Sequence, residues 1–501
     1  MAELKSDYTA ELNPPKSIFN ELSPAYINFC LSLASQPAPE LDKPFTYAEL
    51  GAGYGLSVAA WAAQYPAGSF FSLSPRPGQV AWAQKLADEA GLGNLKIMDR
   101  SPSQMPDEDL PPLDYIVIHG AYSLAGPEER ADLRAFISKF LKPGGALYLG
   151  YSAQPGWTIL EPMRHLIMEG AAATGEANPQ VALGRGLNFL KELEEAGALY
   201  FKAAAGAGPV LEAWRKNDLG YLAADILNPG HQAFFFSDLL TEIAETKTTY
   251  VGSLDLTNYL EPVITPQDFL TRLGQVSGSL PMRETAKDLL YNTASRRDLF
   301  VKGPQALDRA RAEAAVGRLR LVLAGTKGTL PEKVMLKGVE VSLKPEVYQP
   351  VIDLLEAGPC TVSEIMAKTS LSLPLAAQAA TVLLTLNLAM IVSPAGTEAE
   401  RVKRFNLALD CLLGAETFNS ILTANGGWQP CGLFERLYFL AQAEGEAPET
   451  FIAETIKARK WIMRQEGEAV SDPEKVAALI SEQVKSVAEN LPAILQRLGL
   501  G

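Results

Sequence analysis

From Phe45 onward the chain alternates short apolar runs with longer stretches whose apolar residues recur at helical spacing. "FTYAEL" predicts a strand, "GAGYG" a turn, and "LSVAAWAAQYP" a helix that Pro66 ends. "SFFSLSP" predicts a second strand, "GQVAWAQKLADEAG" a helix closed by Gly91, and "NLKIMD" a third strand. After a proline-rich, acidic loop come the apolar strand "LDYIVIHG", a helix through "EERADLRAFISKFL", a turn at "KPGG" and the strand "ALYLGYS". Strands alternating with helices at this rhythm imply βαβ units and a parallel sheet buried on both faces. Ligands of such sheets sit outside the carboxyl ends of the strands.

The rest of the chain divides by the same patterning. Residues 1–44 are rich in proline and polar residues, yet "SPAYINFCLSLASQ" has helical spacing, so this arm is expected to pack on the core at 45–156. An Ala- and Leu-rich helical insertion is expected over 157–233. The end of the sheet follows at 234–256, from "FFFSDLLTEIAETKTTYVGSLDL", and then a helical middle region at 257–330. Residues 331–400 spell three helices and a strand, the order of a winged-helix module. Residues 401–501 read as helical, with breaks at Pro473 and Pro492. The fold class is α/β with helical and winged-helix-like additions.

Composition narrows the function. The 501 residues suggest two to four domains. A formal charge of -14 argues against a broad nucleic-acid face, which needs clustered Lys and Arg to displace counterions. Cys30, Cys360, Cys411 and Cys431 lie far apart and have no metal-ligand spacing with the three histidines, so no metal is expected and the thiols suit a reducing compartment. The uncharged stretch 369–397 is interrupted by Pro374, Gln378, Thr381, Thr385, Asn387 and Pro394, which argues for a buried helix and strand rather than membrane insertion. With no apolar secretory segment at the N-terminus, a cytoplasmic location is expected. A homo-oligomer is left open.

The turn after the first strand carries the chemistry. Glycines between a strand and a helix let a ligand approach the backbone and meet N–H donors at the helix terminus. The spacing of Glu49, Gly51, Gly53 and Gly55 is not the dinucleotide form, whose last glycine comes three positions after the second. It resembles the S-adenosylmethionine loop of class I methyltransferases. "ELNPP", "ELGAGYGLSV", "DYIVIHGAYS", "LKPGGALYLGYSAQPGW", "MRHLIM" and "MRETAKDLLYNTASRRDLFVKG" occur in the order found in bacterial methyltransferases with a methyltransferase regulatory domain, a group that includes the rickettsial outer-membrane-protein lysine methyltransferases.

The resemblance implies a Rossmann-like core that binds S-adenosyl-L-methionine through Glu49, Gly51, Ala52, Gly53 and Gly55, with Asp99 receiving the adenine amino group. The acid that grips the ribose in this family falls at Ser72 or Ser74. Serine offers one hydrogen bond in place of a charged two-point contact, a loss of about 1.5 to 3 kcal/mol. Leu124 also replaces a family tryptophan. His119 and Tyr122, after the fourth strand, are the catalytic candidates: His119 as a base or as a group positioned at the cofactor, and Tyr122, Tyr151 and Trp157 as rings facing a cation. His165 and His231 read as structural, and Arg296 and Arg297 as a solvated face or inter-domain ion pairs. The expected activity is methyl transfer to a macromolecule, foremost protein lysine. O-methylation of a cell-surface glycan and a non-catalytic binding role are the alternatives.

Overall fold

The computed structural model describes residues 16–106, 109–325, 330–392, 398–465 and 468–500; the "ELNPP" motif lies outside the described residues. Helix α1 (Pro24–Leu33) precedes β1 (Phe45–Leu50), α2 (Leu56–Gln64), β2 (Gly68–Ser74), α3 (Pro77–Glu89), β3 (Leu95–Asp99) and β4 (Leu113–His119). The short α4 (Ala121–Leu124), α5 (Pro127–Phe140) and β5 (Leu141–Ser152) follow. Five helices then form a separate layer: α6 (Glu161–Thr174), α7 (Pro179–Glu195), α8 (Leu199–Ala203), α9 (Ala207–Lys216) and α10 (Leu219–Ile226). The chain returns through α11 (Phe236–Ile243) to β6 (Thr248–Ser253), then α12 (Glu261–Ile264), α13 (Gln267–Gln275), α14 (Leu280–Tyr291) and β7 (Ser295–Lys302).

These seven strands form one sheet in the order β3-β2-β1-β4-β5-β7-β6. The first five run parallel, and β7 is antiparallel to both β5 and β6. The order reverses at β1 and β4, which places a ligand crevice beyond their carboxyl ends. Both faces of β1 are buried: Phe45 and Tyr47 join one apolar cluster, Ala48 and Leu50 the other. Gly68 opens β2 because a Cβ there would stand 2.6 Å from the rings of Phe45 and Phe70.

Two local features depart from the expected pattern. The register of β5 against β4 jumps from Leu113↔Leu141 to Tyr115↔Ala146, so Lys142–Gly145 bulges from the ladder while remaining in the strand. The sheet does not end near 256: β7 lies within the region expected to be helical, and pairs with β5 from Ser295↔Ser152 to Val301↔Ala146. The alternation of its side chains was masked by the charges of Arg296, Arg297 and Asp298.

Beyond the sheet come α15 (Arg309–Arg318), β8 (Arg320–Leu323), the hairpin β9 (Lys333–Leu336) and β10 (Val339–Ser342), α16 (Pro345–Ala357), β11 (Cys360–Thr361), α17 (Val362–Thr369), α18 (Leu373–Thr385) and β12 (Ala389–Ile391). Strand β8 pairs with both β11 and β12. The C-terminal region contains α19 (Ala399–Leu413), the hairpin β13 (Ser420–Leu422) and β14 (Trp428–Pro430), α20 (Leu433–Glu444), α21 (Pro448–Ala458) and α22 (Pro473–Arg497). Pro473 starts α22, but Pro492 lies inside it rather than breaking it, and the flanking Leu491, Ile494 and Leu495 are buried. Tertiary burial outweighs the proline penalty there. Among the described residues no helix is long and apolar enough to cross a membrane.

The N-terminal arm and the C-terminal region both grip the core. The Tyr47 hydroxyl donates to the Leu22 carbonyl, and the Tyr115 hydroxyl to Asn28. Arg401 donates to the carbonyls of Ala62 and Ala63 in the last turn of α2, groups that a helix end leaves without internal partners. The Gln64 amide donates to the carbonyls of Thr423 and Gly426.

Arg296 and Arg297 separate onto opposite faces of β7. Arg296 is buried, with its guanidinium 2.9 Å from Asp298, 2.8 Å from Asp288 and 2.9 Å from Glu284. Arg297 pairs with Glu21 of the arm at 3.1 Å. Burial pushes the Asp288 carboxyl up to about 6 against the pull of Arg296. Removing the cation would strand these carboxylates. Arg296→Met is therefore expected to lower unfolding stability by about 3 to 5 kcal/mol at pH 8. A carboxyl whose folded pKa is raised loses stability as pH rises through that value, so the deficit should narrow at pH 5.5. Urea titrations at both values check this; an equal deficit at the two pH values would contradict it.

Candidate functional site

The turn between β1 and α2 is built on glycines in the left-handed region, with φ of 72° at Gly51, 55° at Gly53 and 63° at Gly55. Space also requires Gly51 and crowds Gly55. A Cβ on Gly51 would stand 2.5 Å from Ala121 Cβ, and one on Gly55 would stand 3.3 Å from Ala83 Cβ and 3.4 Å from Ser72 Oγ. The loop thus lies against the start of α4 on one side and the end of β2 on the other. Its backbone is tied down by Gly51 N–H donating to Leu73 O at 3.0 Å and Gly55 N–H to Ala52 O at 2.8 Å.

Glu49 sits at the base of this loop. Its side chain is buried, and Oε2 has no hydrogen-bond partner among the described residues. Burial pushes its carboxyl up to about 8, although the Val58 amide, in the first turn of α2, donates to it and pulls the other way. An acid beneath a helix N-terminus is favourably placed for the dipole, yet its desolvation is not fully offset. A ligand ammonium would supply what is missing.

The two serines divide. Ser74 Oγ is engaged in the β2–α3 turn, contacting Gln79 Oε1 at 3.3 Å and accepting from Arg76 N–H at 3.3 Å. Ser72 is the register partner of Glu49, is buried, and faces Gly55. Asp99 is exposed at the end of β3, opposite Ser74. The loop, Ser72 and Asp99 therefore lie along the carboxyl ends of three adjacent strands.

His119 ends β4 and belongs to the same rim. Its Nδ1 is 2.8 Å from the Tyr148 hydroxyl, and its ring packs on Phe19 of the arm with centroids 4.2 Å apart. Burial, and then Arg297, pushes its imidazole down to about 4, so it is neutral at pH 7. A ring of such low basicity, already bonded to Tyr148, suits positioning better than proton abstraction.

The remaining aromatic candidates point elsewhere. The Tyr122 hydroxyl donates to Glu242 at 2.9 Å and accepts from Arg134, and burial holds the phenol well above its ordinary range. Tyr151 donates to Asp298 at 2.6 Å. Trp157 packs on His231, with centroids 4.1 Å apart. His231 Nε2 is 3.1 Å from Ser152 Oγ, whereas His165 is exposed beside Glu169.

Sequence reasoning missed the groups that the arm brings to the loop. Lys16 Nζ lies 5.2 Å from the ring centre of Tyr54, a loop residue, and 5.6 Å from that of Trp82. The same ammonium is 2.7 and 2.8 Å from the two carboxylate oxygens of Glu416. These partners are 400 positions apart, and no local pattern signals them. Among the described residues no cluster of three or more side chains could hold a metal.

Comparisons with known proteins agree with this geometry. Residues 218–302 match the family model described as "Predicted methyltransferase regulatory domain". The uncharacterized protein sll1526 of Synechocystis sp. is 33% identical over 359 residues, which cover 72% of this chain and 70% of that one. An uncharacterized protein of Rickettsia prowazekii, RP789, is 22% identical over 330 residues, covering 65% of this chain and 57% of that one. Among solved structures, PKMT2 from Rickettsia typhi, in complex with AdoHcy, superposes with a TM-score of 0.72 at 16% identity, covering 97% of this chain and 99% of that one. Sheet order and regulatory segment thus concur: the chain belongs to one family with sll1526, carries a methyltransferase regulatory domain and has the class I methyltransferase fold.

Proposed function

We propose that this protein transfers a methyl group from S-adenosylmethionine to a protein side chain, with lysine as the acceptor. The observation that carries the reading is buried Glu49, whose Oε2 has no partner among the described residues, under a loop in which a Cβ on Gly51 would stand 2.5 Å from Ala121 Cβ. Glu49 would take the ammonium of the cofactor's methionine portion, the loop amides its carboxylate, and Ser72 one ribose hydroxyl. Asp99 would receive the adenine amino group at the rim. The cofactor supplies an electrophilic methyl group; the chain's part is to hold both reactants in line and exclude water, since placement can account for much of the acceleration.

His119 serves by position. Neutral and bonded to Tyr148, it fixes the end of β4, where Gly120 N–H also donates to the Gly150 carbonyl at 3.0 Å. The helical layer α6–α10 and the parts beyond β7 favour a macromolecular acceptor, because a small one needs only a pocket. The likeness to R. typhi PKMT2, a protein seen in complex with AdoHcy, extends over nearly the whole chain and also supports this reading. Ser72 favours a second reading, a binding protein without catalysis, because it weakens the sugar contact.

Glu49→Gln removes the charge and should weaken S-adenosylmethionine binding at least tenfold by calorimetry, about 1.4 kcal/mol; unchanged affinity would remove Glu49 from the site. Ser72→Asp should tighten the same binding by roughly tenfold as a charged contact is restored, whereas Ser74→Asp should not, because Ser74 is engaged in the turn. Mass spectrometry of cell-surface fractions incubated with labelled cofactor should show label on lysine. Label only on polysaccharide would support glycan O-methylation, and tight cofactor binding with no transfer would support the non-catalytic reading.

A further inference from the structure

Residues 16–21 of the arm cross the crevice beyond β1 and β4 and touch it on three sides. On the first, the Lys16 ammonium stands 5.2 Å from the ring centre of Tyr54, in the glycine loop, and 5.6 Å from that of Trp82, on α3. On the second, Phe19 N–H donates to Ser57 Oγ at 3.3 Å in the first turn of α2, next to the Val58 amide that holds Glu49. On the third, the Phe19 ring lies on His119 at the end of β4, with centroids 4.2 Å apart. Whatever rests on the glycine loop therefore lies under this segment or beside it.

The two ends of the segment are held unequally. Asn20 grips the backbone of β14: its Nδ2 donates to Trp428 O at 2.9 Å, and its Oδ1 accepts from Trp428 N–H at 2.7 Å. A Cβ on Gly427 would collide with Asn20 Oδ1, so glycine makes room for this grip. Beside it, Leu22 O accepts from the buried Tyr47 hydroxyl at 3.0 Å, and Glu21 pairs with Arg297 at 3.1 Å. The Lys16 end is held by side chains: the two rings, and an ion pair with Glu416, whose side chain is 59% exposed. Lys16, Ser17 and Ile18 make no backbone–backbone hydrogen bond among the described residues, and Ile18 and Phe19 are partly buried. Exposed ion pairs and cation–π contacts are weak, and salt screens the former. The segment is therefore a strap with a fixed end at Asn20 and a releasable end at Lys16.

We propose that this strap is the gate of the cofactor crevice: it swings on Asn20, and S-adenosylmethionine enters and S-adenosylhomocysteine leaves when Lys16 parts from Glu416. The inference rests on the methyltransferase reading above and goes beyond it by assigning the step that exchanges product for fresh cofactor. Glu416 follows α19, outside the sheet and 400 positions from Lys16, so the C-terminal region holds the latch. A lid of this kind sequesters the reaction from water while closed, and its opening can limit turnover. The latch is closed with and without ligand, so loosening it speeds exchange in both directions and leaves affinity alone.

Two measurements on the full-length chain test this. In the first, bound tritiated S-adenosylhomocysteine is chased with excess unlabelled ligand. Release should be roughly threefold faster in Glu416→Gln and in Lys16→Met than in the wild type. Association should quicken by a similar factor, and affinity should stay within about twofold. The double variant should be no faster than Lys16→Met, because both changes break one latch. Raising the salt concentration should speed release from the wild type and barely alter Lys16→Met. In the second, hydrogen exchange without ligand should rise in both single variants for the peptide spanning residues 16–22, while that of α2 stays the same. Unchanged rates in both variants would overturn the gate. So would faster release without faster association, the mark of an ordinary binding contact, or faster association with tighter binding, the mark of a plug. Failure of the wild type to bind S-adenosylhomocysteine would instead overturn the cofactor reading, and hydrogen exchange would still decide whether the latch holds the strap.

Discussion

A buried acid with one oxygen unanswered is the constraint from which the rest of this site follows. Glu49 is held under the first turn of α2 by the Val58 amide, but burial outweighs that single contact and raises its carboxyl to about 8. In the loop above it a Cβ on Gly51 would overlap Ala121, and one on Gly55 would crowd Ser72 and Ala83. A pit floored by a buried carboxyl, below a glycine turn at a helix start, is complementary to a zwitterionic amino-acid group, which presents an ammonium and a carboxylate together. The same design would be needlessly destabilising in a protein that bound nothing there.

Holding such a pit rigid requires support from outside the sheet. Helix α2 carries the loop at its start and is secured at its far end by Arg401 and Gln64, which link it to the C-terminal region. At the loop itself, Tyr54 and Trp82 carry the Lys16 ammonium, which also meets Glu416. Arm, core and C-terminal region therefore share one set of polar contacts around the glycine loop. On the other side of the sheet, the Arg296 cluster fixes α14 to β7 and, through Asp298, holds Tyr151 of β5.

Much of the core was legible in the sequence because its signals are local. The strand at Phe45–Leu50, the glycine turn and the helix ended by Pro66 each carry their own punctuation, and the observed elements agree with them. What was not legible depends on distant partners. The strand at Ser295–Lys302 was hidden because a buried ion cluster replaces the apolar residues that would have announced it. The choice between Ser72 and Ser74 could not be made from spacing; it needed the register of β2 against β1 and the hydrogen bonds of Ser74 within the turn. Tyr122 follows a strand end, as a substrate-facing residue would, yet it turns toward Glu242 and Arg134, contributed by helices 120 and 12 residues away.

The most direct test of the cofactor site is calorimetric titration of the unmodified protein with S-adenosylmethionine at pH 7, run in buffers of different ionisation enthalpy. With its carboxyl near 8, Glu49 carries a proton before binding, and an arriving ammonium should expel it. The expected result is saturable binding with release of about one proton per cofactor at this pH. Absence of binding at millimolar cofactor, or binding with no proton released, would contradict the account.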